Sequence, residues 1–192
     1  MCISSWSKLH PDWKIIRWDE HNFPVNEFNF TKMAYGNKKY AFVSDYVRMY
    51  ALRNVGGVYL DTDYELKRSL DKFLDNKAFI GLERESIIGT AIIGMEKDHW
   101  LAQKMLDYYD KYGIVNGELN MIPNSIIITD FLSEAGMKKE PPEYVKDVLV
   151  ERRTVFYGSS NPDEFKAESV GVHYFRGSWW SEKERKRANN KL

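Results

Sequence analysis

Apolar positions recur every three to four residues over 41–55, where Val43, Tyr46, Val47, Tyr50 and Ala51 share one side of a helix and Gly56 stands where a C-terminal stop belongs. The run Val58-Tyr59-Leu60 that follows is continuously apolar and predicts a strand. The same pattern gives strands over 13–18, 79–82, 90–95, 146–150 and 154–157, with a further apolar run over 170–175. Helices are predicted over 101–112, with Leu101, Met105, Leu106 and Tyr109 on one side, over 125–134, and as a short piece over 69–74. Residues 22–39 form a polar and aromatic stretch that predicts a loop, and Pro141-Pro142 breaks the chain before the late strands. No internal repeat or linker divides the chain, and alternating strands and helices predict a layered α/β fold.

Candidate chemistry sits where the strand after Gly57 runs into Asp61-Thr62-Asp63. An extended strand places residues i and i+2 on the same side, and two carboxylates held there repel unless a cation or a proton lies between them. A hard, oxygen-seeking ion such as Mg2+ or Mn2+ suits that pair, and ligands of open α/β sheets collect beyond the carboxyl ends of strands. Taken alone, such a pair also describes a solvated turn, and Asp45 with Arg48 at i, i+3 describes a surface ion pair worth a few tenths of a kcal/mol. In this chain Ser44-Asp45-x-x-Arg48, Gly56-Gly57, the apolar strand and Asp61-Thr62-Asp63 follow one another as one ordered block.

That block resembles glycosyltransferase family 32, which groups initiating mannosyltransferases with capsule and lipopolysaccharide enzymes and is related to the glucosylating clostridial toxins. The resemblance extends to Cys2-Ile3-x-Ser5-Trp6, Pro11-Asp12-Trp13 and Ile15-Ile16-x-Trp18-Asp19-Glu20 near the start. It takes in Ala78-Phe79-Ile80-Gly81-Leu82-Glu83 and Ala91-Ile92-Ile93-Gly94-Met95-Glu96-Lys97 past the middle, and His173-x-x-x-Gly177-Ser178-Trp179 close to the end. It implies a GT-A-like nucleotide-sugar-binding mixed sheet flanked by helices. It also implies a metal-dependent hexosyltransferase that takes a nucleotide diphosphate sugar, a UDP-sugar ahead of a GDP-sugar, to a glycan or lipid-linked acceptor in polysaccharide or lipopolysaccharide synthesis, with retention of configuration. Carried over residue by residue, Asp63 is the direct metal ligand, and Asp61 meets the sugar hydroxyls of the nucleotide and the metal through water. Asp45 and Arg48 face the donor sugar, His173 reaches the metal or diphosphate, and Ser178 and Trp179 reach the diphosphate. Family members normally open with an apolar strand before the Ser-Trp helix, whereas this chain starts at Met1-Cys2 on that helix, so the sheet is expected to lack the usual first strand.

Composition narrows the alternatives. A chain of 192 residues with zero formal net charge, 28 basic against 28 acidic residues, lacks the basic excess of a nucleic-acid binder. Its size suits one domain over 1–181 followed by a basic polar tail over 182–192, for which weak attraction to anionic lipid is the outside option. No apolar run reaches the eighteen residues of a membrane span, Met1 is not followed by a signal peptide, and the single cysteine, Cys2, excludes an internal disulfide. A cytoplasmic protein, peripheral at most to the inner face of the membrane, is the expectation. Six tryptophans and twelve tyrosines are enough to offer faces to pyranose rings, although most aromatic side chains in any domain are core. Three rivals stand beside the transferase. A haloacid-dehalogenase-type phosphotransferase also places Asp-x-Asp after a strand, but Glu65 stands where that motif expects Thr or Val. A calcium loop would use Asp61, Asp63 and Glu65, but Leu66 occupies its glycine position and Lys72 its bidentate acid. A non-catalytic nucleotide- or glycan-binding module would bind nucleotide and release no sugar.

Overall fold

The computed structural model describes residues 2–176. Helix α1 (Cys2–Leu9) leads through an irregular stretch to α2 (Asn29–Gly36), α3 (Tyr40–Val55), β1 (Gly57–Leu60) and β2 (Tyr64–Leu66). Strands β3 (Ala78–Arg84) and β4 (Ile87–Met95) precede α4 (Trp100–Tyr112), the short hairpin β5 (Ile114–Val115) and β6 (Glu118–Leu119), and α5 (Asn124–Glu134). Strands β7 (Glu143–Val145) and β8 (Val148–Glu151), helix α6 (Arg153–Phe156) and β9 (Gly171–His173) complete the order. The central sheet runs β1-β4-β3-β8-β7, antiparallel except where β3 and β8 lie parallel, so the sheet is mixed. Strands β2 and β9 form a separate antiparallel pair beside it.

Alternating side chains divide the core between the two faces of this sheet. Ala78, Ile80 and Leu82 of β3 join Val148 and Val150 of β8 against the buried faces of α3, α4 and α5, with Tyr46, Met49, Leu52, Met105 and Tyr109 prominent there. Phe79 and Leu149 point the other way, into a second cluster with Phe73, Phe156, Tyr157, Tyr64 and Leu66. On β1 the same alternation sends Tyr59 toward the helices and Val58 and Leu60 toward the second cluster. Helices on both faces of a mixed sheet make the α/β, GT-A-like arrangement expected from the sequence.

Helix α1 is fastened to β2 by its polar residues: Trp6 Nε1 donates to the Tyr64 carbonyl at 2.8 Å, and Ser5 Oγ accepts from the Leu66 amide at 2.9 Å. The passage from α3 into β1 needs glycine at Gly56, whose φ is +73° and where a Cβ would lie 2.7 Å from the Lys97 amide nitrogen. Several local expectations are corrected. Residues 13–18 belong to no strand: Ile15 and Ile16 are exposed, Trp13 stacks on His10 and Trp18 packs edge-on against Tyr50, so the apolar alternation serves isolated docking contacts. Residues 22–39 contain α2, because Phe30, Thr31 and Ala34 find a buried face there. Residues 154–157 fall largely within α6, since Val155, Phe156 and Tyr157 are consecutive and all buried, which an extended strand would split between two faces. The buried residues of α3 are Tyr46, Arg48, Met49 and Leu52, so the helix is rotated from its predicted face and carries Arg48 inward.

Candidate active site

β1 ends at Leu60, and the chain then turns through Asp61-Thr62-Asp63, with the Asp61 amide bonded to the Ala91 carbonyl at 2.8 Å and the Tyr64 amide to the Asp61 carbonyl at 2.8 Å. The acids therefore meet across a turn and not along a continuing strand. Pairing of β2 with β9 sets His173 directly opposite Tyr64, and the Tyr174 amide bonds the Asp63 carbonyl at 3.1 Å. His173 Nε2 consequently stands 3.1 Å from Asp63 Oδ1 and 3.6 Å from Asp61 Oδ2. One ligand atom from each of Asp61, Asp63 and His173 lies within 4.8 Å of the others, so an acid pair and a histidine 110 residues beyond Asp63 converge on one point.

Two carboxylate oxygens and an imidazole nitrogen are a donor set that fits Mn2+ or Mg2+, with imidazole favouring the transition metal. Asp63 suits an anionic ligand: burial raises its carboxyl, but hydrogen bonding to His173 and the Arg176 amide, 2.8 Å from Oδ2, outweighs that and lowers it below its ordinary value. Among the described residues His173 Nδ1 is buried without a hydrogen-bond partner, and its ring is held by aromatic packing, with the Phe175 centroid 4.1 Å away. Glu65 is turned elsewhere, 2.9 Å from Lys67 Nζ and 2.5 Å from the Tyr174 hydroxyl, so the calcium-loop rival loses its third ligand.

Behind this point lies a buried polar network. Arg48 Nη2 reaches Asp45 Oδ1 at 3.1 Å and Asp61 Oδ1 at 3.5 Å, Nη1 donates to the Thr90 carbonyl at 2.7 Å, and the guanidinium lies 4.5 Å from the centroid of the Tyr59 ring. Tyr59 Oη donates to Asp61 Oδ1 at 2.6 Å. Asn124, at the start of α5, donates from Nδ2 to Asp45 Oδ1 at 2.8 Å while its own Oδ1 accepts from Thr90 Oγ1 at 3.0 Å, which fixes the orientation of the amide. Asp45 Oδ1 thus takes two donors, and the side chain remains open to solvent over 14% of its surface. Burial raises the Asp45 carboxyl to about 6 despite the pull of Arg48, and Asp61 pushes it the same way. Glu83, at the far end of β3, also has its carboxyl raised, chiefly by burial.

The structure brings together Asp45, Arg48, Asp61, Asp63 and His173 of the residues singled out from sequence, whereas Ser178 and Trp179, like the 182–192 tail, lie outside the described residues. Asp45 and Arg48 are no surface ion pair, because Arg48 is buried. Sequence reasoning missed Tyr59, Thr90 and Asn124. Tyr59 carried a signal, sitting two residues before Asp61 on the same face of the strand. Thr90 and Asn124 carried none, since an Asn near the start of a helix reads as a cap.

Residues 1–80 match the model of the glycosyltransferase sugar-binding region containing a DXD motif. Asp61-Thr62-Asp63 is its DXD. Among curated relatives, the mannosyl phosphorylinositol ceramide synthase of Saccharomyces cerevisiae is 32% identical over 114 residues, covering 56% of this chain and 30% of the relative. Inositol phosphoceramide mannosyltransferase 3 of Schizosaccharomyces pombe is 30% identical over 95 residues, covering 47% of this chain and 27% of the relative. The chain therefore spans less than a third of the length of these relatives. No solved structure gives a significant match.

Proposed function

We propose that this chain is a metal-dependent hexosyltransferase that moves a mannosyl-type hexose from a nucleotide diphosphate sugar to a hydroxyl of a lipid-linked acceptor. The observation that carries the reading is the convergence of Asp61, Asp63 and His173 at the exit of β1, directly beside the buried Asp45–Arg48 pair. The names of the two relatives favour a lipid-linked acceptor over a free glycan.

Asp61, Asp63 and His173 would hold Mn2+ or Mg2+, which when bound supplies positive charge against the diphosphate as the glycosidic bond stretches. Asp45 accepts from hydroxyls of the donor hexose through the oxygen that Arg48 and Asn124 leave unoccupied. Arg48, fixed by five contacts, lies between Asp45 and Asp61 and presents fixed positive charge to the donor. Tyr59 sets the rotamer of Asp61. In the transfer itself the bond between the anomeric carbon and the diphosphate oxygen breaks, the acceptor oxygen bonds to that carbon, and the acceptor proton passes to the departing phosphate oxygen. Attack from the side of the leaving group gives retention without a covalent intermediate, and no enzyme nucleophile is required.

The test is calorimetric titration with UDP and with GDP, in Mn2+ and in chelator, for the wild type and Asp63→Ala. Metal-dependent binding of one nucleotide, lost in Asp63→Ala, is expected and selects the base; transfer from the matching sugar donor then separates an enzyme from a binding module. A folded chain that binds neither nucleotide refutes the reading, and an inverted anomeric configuration by NMR refutes its mechanism.

A further inference from the structure

The segment from Tyr112 to Thr129 carries a single charged residue, Glu118, in a chain that is 29% charged overall. A buried segment would account for such a composition, but here Tyr112, Val115, Met121, Ile122 and Ile126 are exposed, Met121 over 52% of its surface. They surround the β5–β6 hairpin and the loop into α5. Exposed apolar side chains gathered along one segment with a single charge are not the scatter of single residues found on ordinary surfaces.

This patch adjoins the site. Asn124 is bonded to Asp45, and Ile122 lies two residues before it, so their Cα atoms are at most about 7 Å apart. Ile126 projects from the first turn of the same helix. The flank is basic. Lys111 precedes Tyr112 and lies 4.8 Å from its ring centroid, and α2, which packs against β6, is followed directly by the exposed Lys38, Lys39 and Tyr40. Apolar side chains that enter the boundary between headgroups and acyl chains, with lysines beside them for anionic headgroups, form an interfacial membrane contact. Among the described residues no helix is long and apolar enough to cross a membrane.

We infer that the β5–β6 hairpin and the loop 120–123 dock the protein on the surface of a bilayer containing anionic lipid, with the donor site turned toward acceptors presented from that surface. This rests on the proposed transfer to a lipid-linked acceptor for its purpose, but not for its test. Flotation with phosphatidylcholine vesicles, with and without about one-fifth phosphatidylinositol, is measured for the wild type, Met121→Asp/Ile122→Asp and Lys38→Glu/Lys39→Glu. Circular dichroism and the nucleotide titration are run on the same samples. The wild type is expected to float with the anionic vesicles, the Asp pair to lower its partition about tenfold or more with nucleotide binding unchanged, and the Glu pair to abolish the preference for phosphatidylinositol. A wild type that does not float overturns the inference. Flotation that survives the Asp pair, as attraction through the basic 182–192 segment alone would give, overturns it too. Flotation with the expected losses in a chain that binds no nucleotide supports the docking surface while removing the transferase reading.

Discussion

Replacing Arg48 by Met removes the cation from between two carboxylates while keeping most of the side chain's volume. In the wild type Arg48 is 6% exposed and its guanidinium makes five contacts, to Asp45, Asp61, the Ser44 and Thr90 carbonyls and the Tyr59 ring. Breaking a buried pair by deleting one partner costs about 3–5 kcal/mol, because the remaining charge stays buried without compensation. At about 2–4 °C per kcal/mol for a chain of this size, the melting temperature should fall by about 6–20 °C near neutral pH. The loss should also depend on pH in a defined direction. Wild-type Asp45 has its carboxyl raised by burial to about 6 against an unfolded value of about 3.9, so the folded state takes up a proton as pH falls through 6 and gains stability there. Without Arg48 the carboxyl rises further, and the variant gains over the whole interval from about pH 7.5 to 5. At 1.36 kcal/mol per unit this is about 3.4 kcal/mol for the variant and about 1.4 for the wild type, so the penalty should shrink by about 2 kcal/mol on acidification. Urea unfolding at the two pH values measures this directly, and Arg48→Met/Asp45→Asn should recover much of the loss at pH 7.5. A penalty below about 1 kcal/mol, or one equal at both pH values, would refute the view that Arg48 is the counter-ion of a buried acid.

Three further outcomes follow from the same geometry. Tyr59→Phe removes the 2.6 Å hydrogen bond to Asp61 but keeps the ring beneath Arg48, so stability should fall by about 1 kcal/mol while metal-dependent nucleotide affinity drops about five- to tenfold; unchanged calorimetric affinity would deny Tyr59 a positioning role. Transfer activity should show an acid limb near pH 6 as Asp45 takes up its proton and ceases to accept hydroxyls, and a flat profile down to about pH 5 would exclude Asp45 from the donor contact. Gly94→Ala places a methyl 2.1 Å from the ring of Phe79, itself packed between Phe73 and Phe156, so chemical denaturation should report about 1–3 kcal/mol of lost stability, and a neutral substitution would mean that this face of β4 has room to yield.

Much of this molecule is written locally. The helix ending at Gly56, the strand Gly57–Leu60 and the acids that follow are set by short-range periodicity and by a glycine that alone fits φ +73°, and such features are legible because their causes lie within a few residues. The same holds for β3, β4 and α5, with their apolar runs, and for α4, whose apolar side repeats at helical spacing. Residues 13–18 and 154–157 form no strand despite their apolar patterns because they lack a strand partner, and a strand exists only where another strand supplies its hydrogen bonds. The sequence by itself determined the DXD block and the chemistry of its side chains. Tertiary structure alone decided that Arg48 turns inward, that Asn124 and Thr90 from distant elements lock Asp45, and that β9 delivers His173 to Asp61 and Asp63. Those contacts join residues tens of positions apart, and their geometry depends on how helices and strands pack around a shared sheet, which no local pattern encodes.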